Sequence, residues 1–276
     1  MPSYAHPVHP ALSDYVASCV GYDYVTHPDD VHHGKPSPAA TVILAFEEPL
    51  DCGLAGEGSA LWWSLVGGLH TRPAVIRTHG RQCGIQLGLT PAGVRAVFGI
   101  PVAALAETLA PAGELGRVRR ATVAPGPVLS PTLHAELAEL GWGDRFALLE
   151  RRLLAAVGAA RPGRMARPEV AEAWRRVLDS HGAVRVADLA QEVGWSRRHL
   201  HTQFVAEYGV TPKEAGRIVR FDHARSLVEH GRPLALAATL AGYVDQSHLN
   251  REWRALAGQT PTQTLTDMPA EFASER

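Results

Sequence analysis

Two groups of polar side chains near the C-terminus have the chemistry that recognises the edges of DNA bases. Arginine donates two hydrogen bonds to guanine, glutamine pairs in the same way with adenine, and serine or threonine bonds to either. Such side chains can act together when a helix holds them in one row at the surface. The first group is Arg197, Arg198, His201 and Thr202, and the second is Gln246, Ser247, His248 and Arg251.

Both groups lie in a sequence unit that occurs twice, about 49 residues apart. A repeat of this length is one supersecondary unit used twice. Each copy contains a short segment with alanine, then a glycine, then a segment with apolar residues four positions apart, which is the pattern of a helix-turn-helix. The copies span residues 190–212 and 238–261; Leu200 corresponds to Leu249, Phe204 to Trp253 and Gly209 to Gly258, and each copy ends in Thr-Pro.

The spacing of the apolar residues decides which side of each second helix faces outward. A leucine and an aromatic residue four positions apart share one face, so we expect Trp253 to be largely buried. The polar groups then face outward in the N-terminal half of the helix, the part that meets base edges in the major groove. Gly194 and Gly242 suit the turns because glycine tolerates unusual dihedral angles, and Ser196 suits the N-cap of the first recognition helix.

The second copy also carries a long pattern, G-[FY]-x-D-x-S-x-[FL]-x-R-x-[FW]-[KR]-x-x-x-G-x-T-P, beginning at Gly242. With both units in register, residues 168–265 resemble the DNA-binding domain of the AraC/XylS family of bacterial transcription regulators. The resemblance implies two helix-turn-helix units bridged by a long helix, which enter successive major grooves on one face of the DNA. It implies double-stranded DNA as the partner and leaves a contact with RNA polymerase open.

The chain differs from the residues common in the family at four packing positions and at one candidate phosphate contact. Leu249 and Trp253 stand where the family often has phenylalanine. Ala215 and Thr264 stand where an aromatic residue is common. Val205 replaces a frequent lysine or arginine, which removes one candidate phosphate contact.

The first part of the chain, roughly 120 residues rich in Gly, Pro and short β-prone runs, predicts a β-rich domain. Members of the resembled family often carry a cupin-like barrel followed by helices, and the order of elements here is similar. The predicted class is therefore α+β, with a cupin-like barrel before an all-α domain. We expect strands at 41–46, 74–78 and 85–89, and short helices at 92–98 and 102–109.

Two stronger helices follow the β-rich region. Ser130 is predicted to cap the helix 131–140, and Asp144 to cap the helix 144–157. The two helices together are a candidate homodimer contact, because the second carries an apolar stripe. The alternative is that the stripe packs on its own barrel. The stripe consists of Phe146, Leu149, Leu153 and Val157.

These elements predict two domains. Residues 1–158 form an effector-sensing or dimerisation domain, with a β-rich part at 1–125 and the helical pair at 130–158. Residues 159–167, rich in Pro, Gly and Arg, form the linker. Residues 168–276 form the DNA-binding domain, with recognition helices near 196–208 and 246–257 and a frayed end from residue 266.

The composition is that of an ordinary globular protein, with 46% apolar and 20% charged residues. No run of roughly 18 or more apolar residues is present, and the N-terminus lacks a basic region before an apolar stretch. Cys19, Cys52 and Cys83 form no C-x-x-C pair, which fits a reducing compartment, so we expect a cytoplasmic protein that does not enter the membrane. Residues 166–276 hold 14 basic and 14 acidic side chains, so non-specific DNA binding should be modest.

Enzyme signatures are missing from the sequence, which has no P-loop, no G-x-S-x-G and no zinc-finger spacing. We therefore expect no catalytic site, no cofactor and no metal. One alternative is a metal-dependent cupin enzyme fused to a DNA-binding tail, because His27, His70, His79 and Cys83 could converge on a metal. Another is a constitutive DNA-binding dimer without a ligand. The sequence predicts a homodimer and leaves a small-molecule effector open.

Overall fold

A β-rich N-terminal domain and a helical C-terminal domain make up the structure, a computed structural model, and this confirms the predicted α+β class. No helix in the ranges described is long and apolar enough to cross a membrane. The structure describes residues 4–27, 30–77, 80–115, 128–160 and 165–266.

The N-terminal domain contains two antiparallel sheets. The strands are β1 (Tyr4–Ala5), β2 (Val16–Val25), β3 (Val31–Gly34), β4 (Ala40–Ala45), β5 (Leu50–Leu54), β6 (Ala60–Trp62), β7 (Ser64–Gly67), β8 (Ala74–Arg77), β9 (Arg81–Leu89) and β10 (Leu109–Ala110). The large sheet has the order β1-β2-β9-β4-β7-β10, and the small sheet has the order β3-β8-β5-β6. The three predicted strands therefore correspond to β4, β8 and β9.

Both faces of the large sheet are covered, which explains the nearly continuous apolar sequence of β4. Alternate residues of a strand point to opposite faces. Val42 and Leu44 belong to a core that includes the helices, whereas Ile43 belongs to the core between the two sheets. Leu54 and Ala74 enter that second core from the small sheet. The two sheets thus enclose a packed interior.

Helices cover the outer face of the large sheet. They are α1 (Pro91–Phe98), a 3-10 helix (Val102–Leu105), α2 (Pro131–Ala138) and α3 (Trp142–Ala159). The prediction of a helix at 102–109 is wrong. The segment forms one 3-10 turn, which ends at Leu105, and the chain then forms β10. Ser130 caps α2 as predicted, but Asp144 is not a cap. Gly141 precedes α3, and Asp144 lies in its first turn, where a carboxylate favours the helix dipole.

The apolar stripe of α3 packs on its own domain. Phe146, Leu149 and Leu153 are 6%, 1% and 3% exposed and belong to the core beneath α1 and the large sheet. Val157 packs against the same core. This burial supports the alternative that the stripe packs on its own domain, and a homodimer contact through the two helices stays a prediction.

The C-terminal domain is helical and agrees closely with the sequence prediction. Its helices are α4 (Pro168–Asp179), α5 (Val186–Glu192), α6 (Arg197–Tyr208), α7 (Pro212–Glu229), α8 (Leu234–Leu240), α9 (Gln246–Ala257) and α10 (Pro261–Thr266). Thr211 and Glu214 form a reciprocal capping box at the start of α7. Residues 161–164 of the predicted linker and the chain from residue 267 lie outside the described residues.

Candidate nucleic-acid interface

The two helix-turn-helix units, α5–α6 and α8–α9, have the same backbone at four equivalent glycines. Gly194 and Gly242 form the turns with φ of 72° and 75°. Gly209 and Gly258 end the second helices with φ of 74° and 72°. Residues other than glycine rarely adopt these angles, so the repeated glycines fix where each recognition helix starts and stops.

A side chain caps the N-terminus of each recognition helix. The Ser196 hydroxyl accepts a hydrogen bond from the backbone N–H of His199 at 3.2 Å, as predicted. The Asp245 carboxylate accepts one from the N–H of His248 at 2.6 Å. The sequence analysis did not assign the second cap, although an aspartate directly before a predicted helix is a recognised signal for it.

Buried residues fix the rotation of both recognition helices about their axes. Leu200 and Phe204 of α6 are fully buried, and so are Leu249 and Trp253 of α9. The prediction that Trp253 lies in the core is therefore confirmed. Its indole Nε1 donates a hydrogen bond to the Thr264 hydroxyl at 3.0 Å, and Thr264 is also buried.

Seven of the eight predicted base-contacting side chains are exposed, in the N-terminal halves of the two helices. They are Arg197, Arg198, His201, Thr202, Gln246, Ser247 and Arg251. His248 differs because it is half-buried. Its Nδ1 accepts a hydrogen bond from the backbone N–H of Val244 at 3.4 Å, and its ring meets the Tyr243 ring edge-on. The role of His248 in contacting DNA stays a prediction.

Five of the six Lys and Arg side chains between residues 195 and 225 divide into a paired set and an exposed set, and the sixth, Arg220, donates to the Gly182 carbonyl. Arg217 of α7 donates to the Glu252 carboxylate of α9 at 2.9 Å, which ties the connecting helix to the second unit. Arg225 pairs with Asp222 and Glu229 within α7. The exposed set lies at the N-terminal ends of α6 and α7 and consists of Arg197, Arg198 and Lys213.

Arg167 is a residue at this surface that the sequence analysis missed. Its guanidinium lies 5.7 Å from the centre of the Trp195 ring, and its Nη1 reaches the Gln203 amide oxygen at 3.5 Å. Trp195 in turn meets the His199 ring edge-on. The contacts bring a basic residue from the predicted linker beside α6, and its sequence neighbourhood contains no signal for that position.

One cleft lies on the outer face of the large sheet, against α3. It has a volume of about 20 Å³, which holds about one water molecule. Apolar side chains line it together with His6, His9 and Glu150. His6 stacks on Phe146 with ring centres 4.5 Å apart, and its Nε2 lies 3.5 Å from the Glu150 carboxylate.

The histidines and cysteines of the N-terminal domain do not assemble into a site in the part of the chain that is described. No group of three or more His, Cys, Asp or Glu residues there could hold a metal ion. His79, one of the four candidate ligands, lies outside the described residues. Cys83 is buried, and burial raises the pKa of its thiol. Its Sγ lies 3.9 Å from the Arg145 guanidinium, inside the domain.

Comparisons with known proteins identify the C-terminal repeat. A family described as a helix-turn-helix domain matches residues 189–267. The uncharacterized HTH-type transcriptional regulator YbfI of Bacillus subtilis is 39% identical over 75 residues, which are 26% of this chain and 27% of that protein. The regulatory protein ada of Salmonella typhimurium is 35% identical over 88 residues, which are 32% of this chain and 25% of that protein. The chain thus spans about a quarter of the length of these curated relatives.

Solved structures match nearly the whole chain. The match to ToxT from Vibrio cholerae covers 90% of this chain and 98% of that one. Its TM-score is 0.56 and the identity is 12%. A ToxT structure with bound unsaturated fatty acid has a TM-score of 0.57, with 10% identity and coverage of 92% of this chain and 97% of that one. At such identities the likeness shows a shared fold. The family match confirms the helix-turn-helix domain predicted from the repeat.

Proposed function

We propose that this protein, which carries an AraC-type helix-turn-helix domain, is a sequence-specific DNA-binding transcription regulator. The observation that carries the proposal is the matched geometry of α6 and α9. Each helix is capped at both ends, buries a leucine and an aromatic residue, and exposes polar side chains in its N-terminal half. Two such helices on one rigid frame suit the reading of two successive major grooves.

Each recognition helix has its own set of base-contacting side chains in this proposal, called its readers. Arg197 and Arg198 suit guanine at the first site, and His201 and Thr202 lie beside them. Gln246 suits adenine and Arg251 suits guanine at the second site. His248 bonds the Val244 backbone through Nδ1 and is the eighth candidate, less exposed than the others. The readers are Arg197, Arg198, His201, Thr202, Gln246, Ser247 and Arg251.

Residues 1–158 form the regulatory or dimerisation domain in this proposal, residues 159–167 the linker, and residues 168–276 the DNA-binding domain. Bound fatty acid in a ToxT structure of similar fold supports a small-molecule effector for this chain. The filled space between the two sheets supports the alternative that the domain serves to dimerise without a ligand. A homodimer contact in either case uses another face than the buried stripe of α3.

Selection of bound DNA from a random pool by the purified full-length protein tests the proposal. A transcription regulator should enrich one sequence made of two sub-sites about one helical turn apart, roughly 10 base pairs. Failure to enrich any sequence would overturn the proposal. Repeating the binding with cell extract separates the two roles of the N-terminal domain, because an effector changes the affinity and a constitutive dimer keeps it unchanged.

A further inference from the structure

Both recognition helices end against the N-terminal domain, at equivalent glycines of the repeat. At Gly209, the end of α6, an added Cβ would overlap the Cβ of Ala106 and lie 3.0 Å from the Cα of Ala103. At Gly258, the end of α9, an added Cβ would lie 3.1 Å from Pro73 and 3.3 Å from His33. The ends opposite the DNA-reading halves are therefore in close contact with one domain.

An ion pair joins the first recognition helix to that domain. Arg95 of α1 and Glu207 in the last turn of α6 are 112 positions apart in the sequence. The guanidinium contacts both carboxylate oxygens, with Nε at 2.6 Å from Oε1. The two side chains are 18% and 10% exposed. A two-point contact of this kind fixes the relative orientation of its partners as well as their distance.

The two units differ in how they join the rest of the molecule. Leu200, Phe204 and Tyr208 of the first unit belong to one continuous core with the N-terminal domain. The second unit has a core of its own, around Phe221 and Trp253. The first unit is thus held by the N-terminal domain through a shared core and an ion pair, while the second packs on α7 and meets that domain at Gly258.

We propose that Arg95 is a positioning residue for DNA recognition, although it lies outside the DNA-binding domain. Through Glu207 it holds α6 at one angle to the N-terminal domain, and the same domain supports the end of α9 at Gly258. The N-terminal domain thereby sets the separation at which the two recognition helices meet DNA. The inference rests on the proposed function and concerns the spacing of the sub-sites, not the bases within them.

A fixed and a variable separation of the two recognition helices predict different affinities for operators whose sub-sites are moved apart. Successive major grooves lie about 34–36 Å apart, so two fixed helices fit one separation of sub-sites. If α6 can tilt, operators with an added base pair fit nearly as well. Loss of the ion pair should therefore broaden the accepted spacing while the preferred bases within each sub-site stay the same.

The test uses full-length protein and the operator obtained by selection, with zero, one or two base pairs inserted between the sub-sites. We expect wild-type protein to lose roughly tenfold in affinity on insertion, a factor typical of coupling between sites. Arg95→Glu and Glu207→Arg should each lose most of this discrimination. The double variant, which exchanges the two charges, should regain it. Arg77→Glu on β8 makes the same charge change at an exposed position and should behave as wild type.

Three results would overturn the inference. One is wild-type discrimination in a folded Arg95→Glu or Glu207→Arg protein. Another is failure of the folded double variant to restore discrimination. The third is a change of preferred bases in the single variants, because that would make Arg95 a determinant of readout. If the wild type selects no sequence, the proposed function itself has failed, and the two failures are thereby distinguished.

Discussion

Trp253 and Thr264 differ from the residues that are most common in the resembled family, and one buried hydrogen bond joins them. A buried indole needs a partner for its N–H, whereas the phenylalanine common at the first position does not. Thr264 supplies that partner at 3.0 Å, in a place where an aromatic ring would offer no such acceptor oxygen. A single departure would leave a buried polar group unsatisfied, so the two residues form one packing solution. Sequence comparison position by position treats them as two separate anomalies.

The pair predicts a non-additive effect on stability. Trp253→Phe strands the Thr264 hydroxyl, and Thr264→Val strands the indole N–H, so each should cost about 1–3 kcal/mol of unfolding free energy. The double variant should cost less than the sum, with a coupling of about 0.5–1.5 kcal/mol. Trp253→Ala, which leaves a large cavity, should cost about 3–5 kcal/mol. Urea unfolding of the four variants measures these values, and strictly additive costs would rule out the proposed bond.

Arg198 and Arg251 are the side chains whose loss should change sequence preference most clearly. Each is exposed on the face opposite a buried leucine and aromatic pair. Replacement by alanine should cost about 1–3 kcal/mol of operator binding and relax the preference at one or two base positions. Competition binding with single-base operator variants measures both effects.

The matched control for these arginines is Arg151→Ala on the exposed side of α3, which removes the same charge far along the sequence from either recognition helix. It should leave affinity and preference unchanged. An Arg198→Ala or Arg251→Ala protein that loses affinity equally for every sequence would assign that arginine to phosphate contact. Unchanged binding would mean that the residue does not face DNA.

The helices of the C-terminal domain could be predicted from sequence because several local signals agree. Proline at the first position and glutamate three residues after Thr211 define the start of α7, and a repeated glycine defines the end of α9. The segment 102–109 lacks such agreement, since a short apolar run suits a helix or a strand equally. Strand pairing determines the structure at the end of this segment, because Leu109 of β10 pairs with Gly67 of β7.

Alanine substitution at two glycines distinguishes the free-energy cost of a left-handed backbone angle from the cost of a steric clash. Gly194 and Gly209 have φ of 72° and 74°, but open space surrounds a Cβ at Gly194, whereas a Cβ at Gly209 overlaps Ala106. Gly194→Ala should therefore cost about 1–2 kcal/mol, from the left-handed angle alone. Gly209→Ala should cost about 1–3 kcal/mol more. Equal losses of unfolding free energy, measured with urea, would show that the N-terminal domain does not contact the end of α6 in solution.

The stripe of α3 provides a direct test of where that helix packs. Leu153 is 3% exposed within its own domain, so Leu153→Glu forces a carboxylate into a core and should unfold or aggregate the protein. Ala147→Glu, on the exposed side of the same helix, should be tolerated. Circular dichroism and size-exclusion chromatography distinguish the outcomes. A folded Leu153→Glu protein that changes from dimer to monomer would restore the stripe as a subunit contact.

The arrangement of the two domains is the part of the fold that the sequence could not predict. Arg95 and Glu207 are 112 positions apart, and neither has a local pattern that marks it as half of a pair. The candidate DNA-reading residues were accessible to prediction because helix periodicity and the internal repeat place them relative to their neighbours. A contact between domains depends on tertiary packing, on which one sequence carries no periodic signal.

The division of the core predicts two units of cooperative opening. The first helix-turn-helix shares a core with the N-terminal domain, and the second has its own smaller core. Amides of α9 should therefore exchange with solvent through openings of lower free energy than those of α6. Leu137→Ala, a cavity in the N-terminal core, should lower the protection of α6 and leave that of α9 unchanged, because Leu137 belongs to the core shared with α6. Native-state hydrogen exchange resolved by helix measures this, and an equal loss of protection in both helices would mean that the whole chain opens as one unit.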